Sequence, residues 1–83
     1  MIWIKSQDEL SLIPFEEDDA IDIDTVTGNM WVIRYKHYVL GRYNTREKAV
    51  KVLDWLYDII IENDEYGGIS RKLFIPKDEE VEL

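Results

Sequence analysis

Cysteine is absent from this 83-residue chain, which excludes disulfide scaffolding, thiol catalysis and metal sites built on thiolates. There is one histidine, His37, so a metal would have to bind mainly through oxygen. Long apolar runs are also missing. None exceeds four residues, far below the roughly 20 needed to span a bilayer, and no membrane segment is expected. The opening Met1-Ile2-Trp3-Ile4-Lys5 has neither a basic leader nor a long apolar stretch. Together with the lack of cysteine, this predicts a cytoplasmic protein.

What the chain does have is core material: 46% hydrophobic and 12% aromatic residues, enough to oppose disorder despite a net charge of −8. Typical domains hold roughly 100–150 residues, so the length fits one domain. It is expected over 1–76, with 77–83 as an acidic tail. The net charge hides a strong asymmetry. Residues 1–33, 34–51 and 52–83 carry −7, +5 and −6, which places a basic centre between acidic ends.

Ile2 and Ile4 alternate with Trp3 and Lys5, the period-two pattern of a strand, and Ser6-Gln7-Asp8 supplies turn-forming side chains. An irregular extended piece runs from Leu10 to Phe15, where Pro14 lacks an amide donor and so belongs at an edge or an end. Ile21 and Ile23 alternate with Asp22 and Asp24, and Gly28-Asn29 makes a favourable turn into the β-prone Met30–Tyr35. Tyr38–Tyr43 reads as the next strand, reached through Lys36-His37. The pattern then turns helical over about 45–63, capped by Asn44 or Thr45. Glu47, Lys51, Asp54, Asp58 and Glu62 form its polar stripe, with Ala49, Leu53, Leu56 and Ile60 opposite and expected in the core. Gly67-Gly68 ends the helical region, and Ile69–Ile75 reads as a closing strand that stops at Pro76. The fold class expected is α+β: an antiparallel sheet of about five strands packed on one helix, in the order β-β-β-β-α-β.

Trp3-Ile4-Lys5-Ser6-Gln7-Asp8 and the later set Leu40, Gly41, Tyr43, Thr45, Glu47, Ala49, Val52, Leu53 and Asp54 resemble small uncharacterised proteins of Gram-positive bacteria and their phages. Phe74-Ile75-Pro76 resembles the close of the same group, and the likeness covers about a third of the chain. The resemblance implies a fold and a mobile-element setting and carries over no catalytic residue. Each motif residue also has a structural use: Gly41 permits a bulge or close backbone approach, and Thr45 caps the helix.

Candidate chemistry is sparse. Numbering a calcium loop from Asp22 puts Thr27 where glycine is required and Ile33 at the bidentate position, so the motif fails. Glu16-Glu17-Asp18-Asp19 is an acidic loop whose ordinary role is solvation, with weak cation binding over 16–24 as the alternative. His37 stands between Lys36 and Tyr38 at a turn, with no nucleophile-elbow pattern near Ser6, Ser11 or Ser70. Gly67-Gly68 lacks the lysine and helix of a phosphate loop. These residues predict no enzyme, no cofactor and no metal.

Binding is the remaining class. The helix carries more apolar surface than one sheet covers, and Trp3 points away from Ile2 and Ile4. A host-protein partner is therefore expected to meet Trp3, Trp55 and Ile59 as anchors, with Glu16, Glu17, Asp18 and Asp19 as the acidic surface that steers encounter. The protein expected is a stoichiometric, inhibitor-like binder. One alternative is a nucleic-acid or small-ligand module using the basic-aromatic centre 34–51 through Arg34, Lys36, Arg42 and Arg46, although the acidic body opposes a polyanion. The other is a structural homodimer.

Overall fold

The computed structural model describes residues 2–16, 20–26, 28–65 and 71–82, with side chains of the helix through residue 62. Six strands, one α-helix and a short 3₁₀ turn follow one another: β1 (Ile2–Lys5), β2 (Leu12–Phe15), β3 (Ile21–Val26), β4 (Met30–Tyr35), β5 (Tyr38–Tyr43), α1 (Arg46–Glu65), β6 (Arg71–Phe74) and the turn Asp78–Glu80. The α+β class holds. The single antiparallel sheet of about five strands does not, because the strands form two three-stranded sheets ordered β2-β1-β6 and β3-β4-β5. Five strands, not four, precede the helix.

The corrections have physical causes. The Leu12–Phe15 piece is a full strand because Pro14 sits on the sheet edge, where one side of the backbone needs no partner. Its register brings Ile2 opposite Phe15 and Ile4 opposite Ile13, so the inward faces of both strands coincide. The connecting turn is closed by the Ser6 N–H donating to Ser11 O, with Glu9 in the left-handed region at φ 66°. β6 joins β1 in parallel, pairing Ile4 with Leu73, because the chain returns through the helix. The Gly67-Gly68 break and the first residues of the expected closing strand lie outside the described residues.

The second sheet is a meander. Gly28 and Asn29 adopt φ 82° and 65°, the left-handed geometry that a tight connection needs and glycine tolerates. Lys36-His37 closes the next hairpin between Tyr35 and Tyr38, with Lys36 at φ 55°. Between β4 and β5, Ile33 pairs with Gly41 while Arg34 pairs with Val39, so Leu40 is an extra residue. Leu40 and Tyr43 differ by an odd number of positions and would face opposite ways in a regular strand. The bulge lets both be fully buried.

Thr45 caps α1 by accepting from the Lys48 N–H at 3.2 Å. The polar stripe faces solvent as expected, but the buried stripe is Ala49, Val52, Leu56 and Ile59, with Leu53 and Ile60 only half-buried. The helix is rotated because it leans on β3, β4 and β5 while also covering side chains of the first sheet. One core results, joining Ile2, Ile4, Ile13, Phe15 and Leu73 to Ile33, Tyr35, Leu40 and Tyr43.

Polar contacts tie the two sheets together. The Gln7 backbone N–H donates to Leu40 O, while its side chain accepts from the Arg42 N–H at 2.9 Å and donates to Arg42 O and Pro76 O. Buried Tyr43 donates its hydroxyl to the same Pro76 carbonyl at 2.6 Å, and burial pushes its pKa well above the usual range. Residues 77–82, expected as an acidic tail, run back over the start of the helix. There Asp78 accepts from the Asn44 N–H at 2.9 Å and pairs with Lys48, while Val81 packs on the core.

Candidate partner-binding surface

Alternation in the first sheet sends Ile2, Ile4, Ile13, Phe15 and Leu73 inward, and so leaves Trp3, Lys5, Leu12, Pro14, Lys72 and Phe74 on the outward face. Trp3 stands on the central strand, across from Pro14 on one side and Lys72 on the other. It is 36% exposed, Leu12 is 52% and Phe74 is 55%. Trp3, Leu12, Arg71 and Lys72 line a shallow depression. The ammonium groups of Lys5 and Lys72 each lie 5.5 Å from the centre of the Phe74 ring.

Phe74 also borders a second feature. A groove of about 430 Å³ runs between the helix and the returning C-terminal segment, lined by Val52, Trp55, Phe74, Pro76, Val81 and the charged Lys51, Glu80 and Glu82. Trp55, 40% exposed, forms part of its wall. The Lys51 ammonium donates to the Glu82 carbonyl across it. The depression and the groove share no lining residue, but the Lys72 ammonium of the first lies over the Phe74 ring of the second, so Leu12, Trp3, Phe74 and Trp55 make an exposed band with cations set into it.

Of the anchors expected from sequence, Trp3 and Trp55 stand on this band. Ile59 is 8% exposed and belongs to the core, because the helix turns it inward beside Leu56. Glu16 is exposed, but its carboxylate reaches the Lys36 ammonium at 3.6 Å on the β4–β5 turn. Glu17, Asp18 and Asp19 lie outside the described residues. Phe74, Leu12 and Lys72 were not singled out from sequence. The signal for Lys72 and Phe74 is the alternation in Lys72-Leu73-Phe74-Ile75, which turns both away from the buried Leu73, and for Leu12 it is the alternation with the buried Ile13.

The basic centre does not form one patch. Arg34 and Arg42 are exposed on the outward face of the second sheet, where Asp22 lies directly across from Arg34 and Asp24 flanks the buried Val32 from the side opposite Arg42. Lys36 is in the hairpin turn and Arg46 opens the helix. Tyr35 and Tyr43, which would have to stack bases, are fully buried. Tyr38 is half-buried, with its ring centre 4.2 Å from that of His37.

The remaining polar candidates are held in local structure. Ser6 donates its hydroxyl to Asp8 at 2.6 Å and accepts from the Ser11 N–H. The Ser6 hydroxyl and the Leu10 N–H hold the Asp8 carboxyl below its ordinary value. Among the described residues, no group of three or more His, Asp or Glu side chains is placed to hold a metal ion, and no helix is long and apolar enough to cross a membrane. No protein-family model, curated protein or solved structure matches the chain. The band around Trp3 is thus the feature on which a functional reading rests.

Proposed function

We propose that this is a small non-enzymatic binding protein of a Gram-positive bacterium or its phage, acting in the cytoplasm on one host protein in fixed stoichiometry. The observation that supports it is the exposed band of Trp3, Leu12, Phe74 and Trp55. Aromatic side chains held on a rigid strand or helix lose little conformational freedom on binding, and such rings dominate the energetics of protein interfaces. The Gram-positive and phage setting comes from the sequence resemblance. The acidic residues of β3 and of the polar helix stripe supply solubility and long-range steering.

The test is affinity capture from a Gram-positive lysate, with and without nuclease treatment, using the wild-type chain, Trp3→Ala and Trp55→Ala. Both substitutions are at exposed positions and should leave the fold intact by far-ultraviolet circular dichroism and cooperative urea unfolding. A protein retained at equal stoichiometry by the wild type and lost from at least one variant supports the reading. Identical retention by all three chains would rule this surface out as the interface, and retention abolished by nuclease would point to nucleic acid.

A further inference from the structure

None of the residues of β1, β2 or β6 is acidic, in a chain with 18 Asp and Glu against 10 Lys and Arg. These strands place Lys5 and Lys72 on the outward face of the first sheet with Trp3, Leu12, Pro14 and Phe74, and Arg71, at the start of β6, borders the depression beside Trp3. This exposed apolar face is therefore also locally basic. Its charge is opposite in sign to that of the whole chain, and charge complementarity selects a partner of matching sign at short range. Of the acidic residues first expected to meet the partner, Glu16 is turned to Lys36, and Glu17, Asp18 and Asp19 lie outside the described residues.

The geometry points to an acidic amphipathic stretch of polypeptide as the partner of this face. Its apolar side chains rest on Trp3 and Leu12, and its carboxylates meet Lys5, Arg71 and Lys72. This rests on the partner-binding reading and names the chemistry of that partner. Single-stranded nucleic acid has the same charge, and exposed rings can stack bases. Three features favour polypeptide. Leu12 and Pro14 offer aliphatic area that suits apolar side chains and gives a base nothing to stack on. The Phe74 ring has the Lys5 and Lys72 ammonium groups within 5.5 Å of its centre, where a carboxylate can pair with them but a stacked base would have to displace them. Beyond Phe74, Glu80 and Glu82 border the groove, where a run of phosphates would be repelled but a neutral or basic residue would be accepted.

The experiment follows the indole N–H signals of the ¹⁵N-labelled full chain, with Trp3 assigned by Trp3→Phe. The probes are a peptide of repeating Leu-Glu, the same peptide with Ser in place of Leu, and an oligo-dT strand. The Leu-Glu peptide is expected to move the Trp3 signal saturably and leave Trp31 still, while the Ser-Glu peptide and oligo-dT bind at least about tenfold more weakly. The charge-reversing pair Lys5→Glu with Lys72→Glu should weaken the Leu-Glu peptide by about tenfold or more, with an unchanged Trp31 signal as the check on folding. Equal or tighter binding of oligo-dT, undiminished peptide binding by the charge-reversed chain, or a Trp3 shift produced by raising protein concentration alone would each overturn the inference. If no Leu-Glu binding is seen while a host protein is still captured in a Trp3-dependent way, the acidic-partner inference falls and the binding function stands. Loss of both removes both.

Discussion

Gly41 and Ile75 approach so closely that a Cβ on residue 41 would lie 2.9 Å from Ile75 Cγ2, and 3.0 Å from the Tyr43 hydroxyl oxygen on another side. Both neighbours are anchored nearby. The Ile75 N–H donates to Lys5 O, and the Tyr43 hydroxyl is fixed on Pro76 O. Gly41→Ala is therefore expected to destabilise the fold by about 1–3 kcal/mol, the usual range for overpacking. Urea unfolding measures it, and a change within about 0.5 kcal/mol would mean the contact relaxes at little cost.

Thr45 is the side-chain cap of the only long helix described, through its single bond from the Lys48 N–H. Thr45→Ala should cost about 1 kcal/mol, with Thr45→Ser recovering most of it because serine keeps the acceptor. Denaturation of the two variants side by side decides this. Equal stability of alanine and serine would show that the cap is not holding the helix start.

Acid should loosen the returning C-terminal segment. The Asn44 N–H, followed by Lys48, holds the Asp78 carboxyl below its ordinary value of 3.8. A carboxyl whose pKa is lower when folded stabilises the fold fully above its unfolded value, and loses that contribution as the pH falls through its folded value. The wild type should thus exceed Asp78→Asn in stability by a constant margin above 3.8 and by a shrinking one below it. A margin independent of pH would show that the charge on Asp78 is not what docks the segment.

Much of the local structure was legible from residue patterns. Ile2 and Ile4 identified the buried face of β1 and left Trp3 outside, and Gly28-Asn29 marked its turn. Thr45 and the stripe of Glu47, Lys51, Asp54, Asp58 and Glu62 identified the start of the helix and its wet side. Of the candidate surface, Trp3 was legible as an outward residue of its strand and Trp55 as part of an apolar arc wider than one sheet covers. Phe74 was not, because its surroundings depend on which strand β6 joins.

The sequence alone determined the alternation of side chains within each regular stretch, since the repeats of strand and helix are steric properties of neighbouring residues. Only the tertiary structure decided which elements meet. That choice divided six strands between two sheets, turned Val52 and Ile59 inward in place of Leu53 and Ile60, and inserted Leu40 as a bulge. It also brought Lys5 and Lys72 to the Phe74 ring. Pairing is settled by competition among distant segments for the same backbone hydrogen bonds and the same core volume, which no short stretch of sequence records.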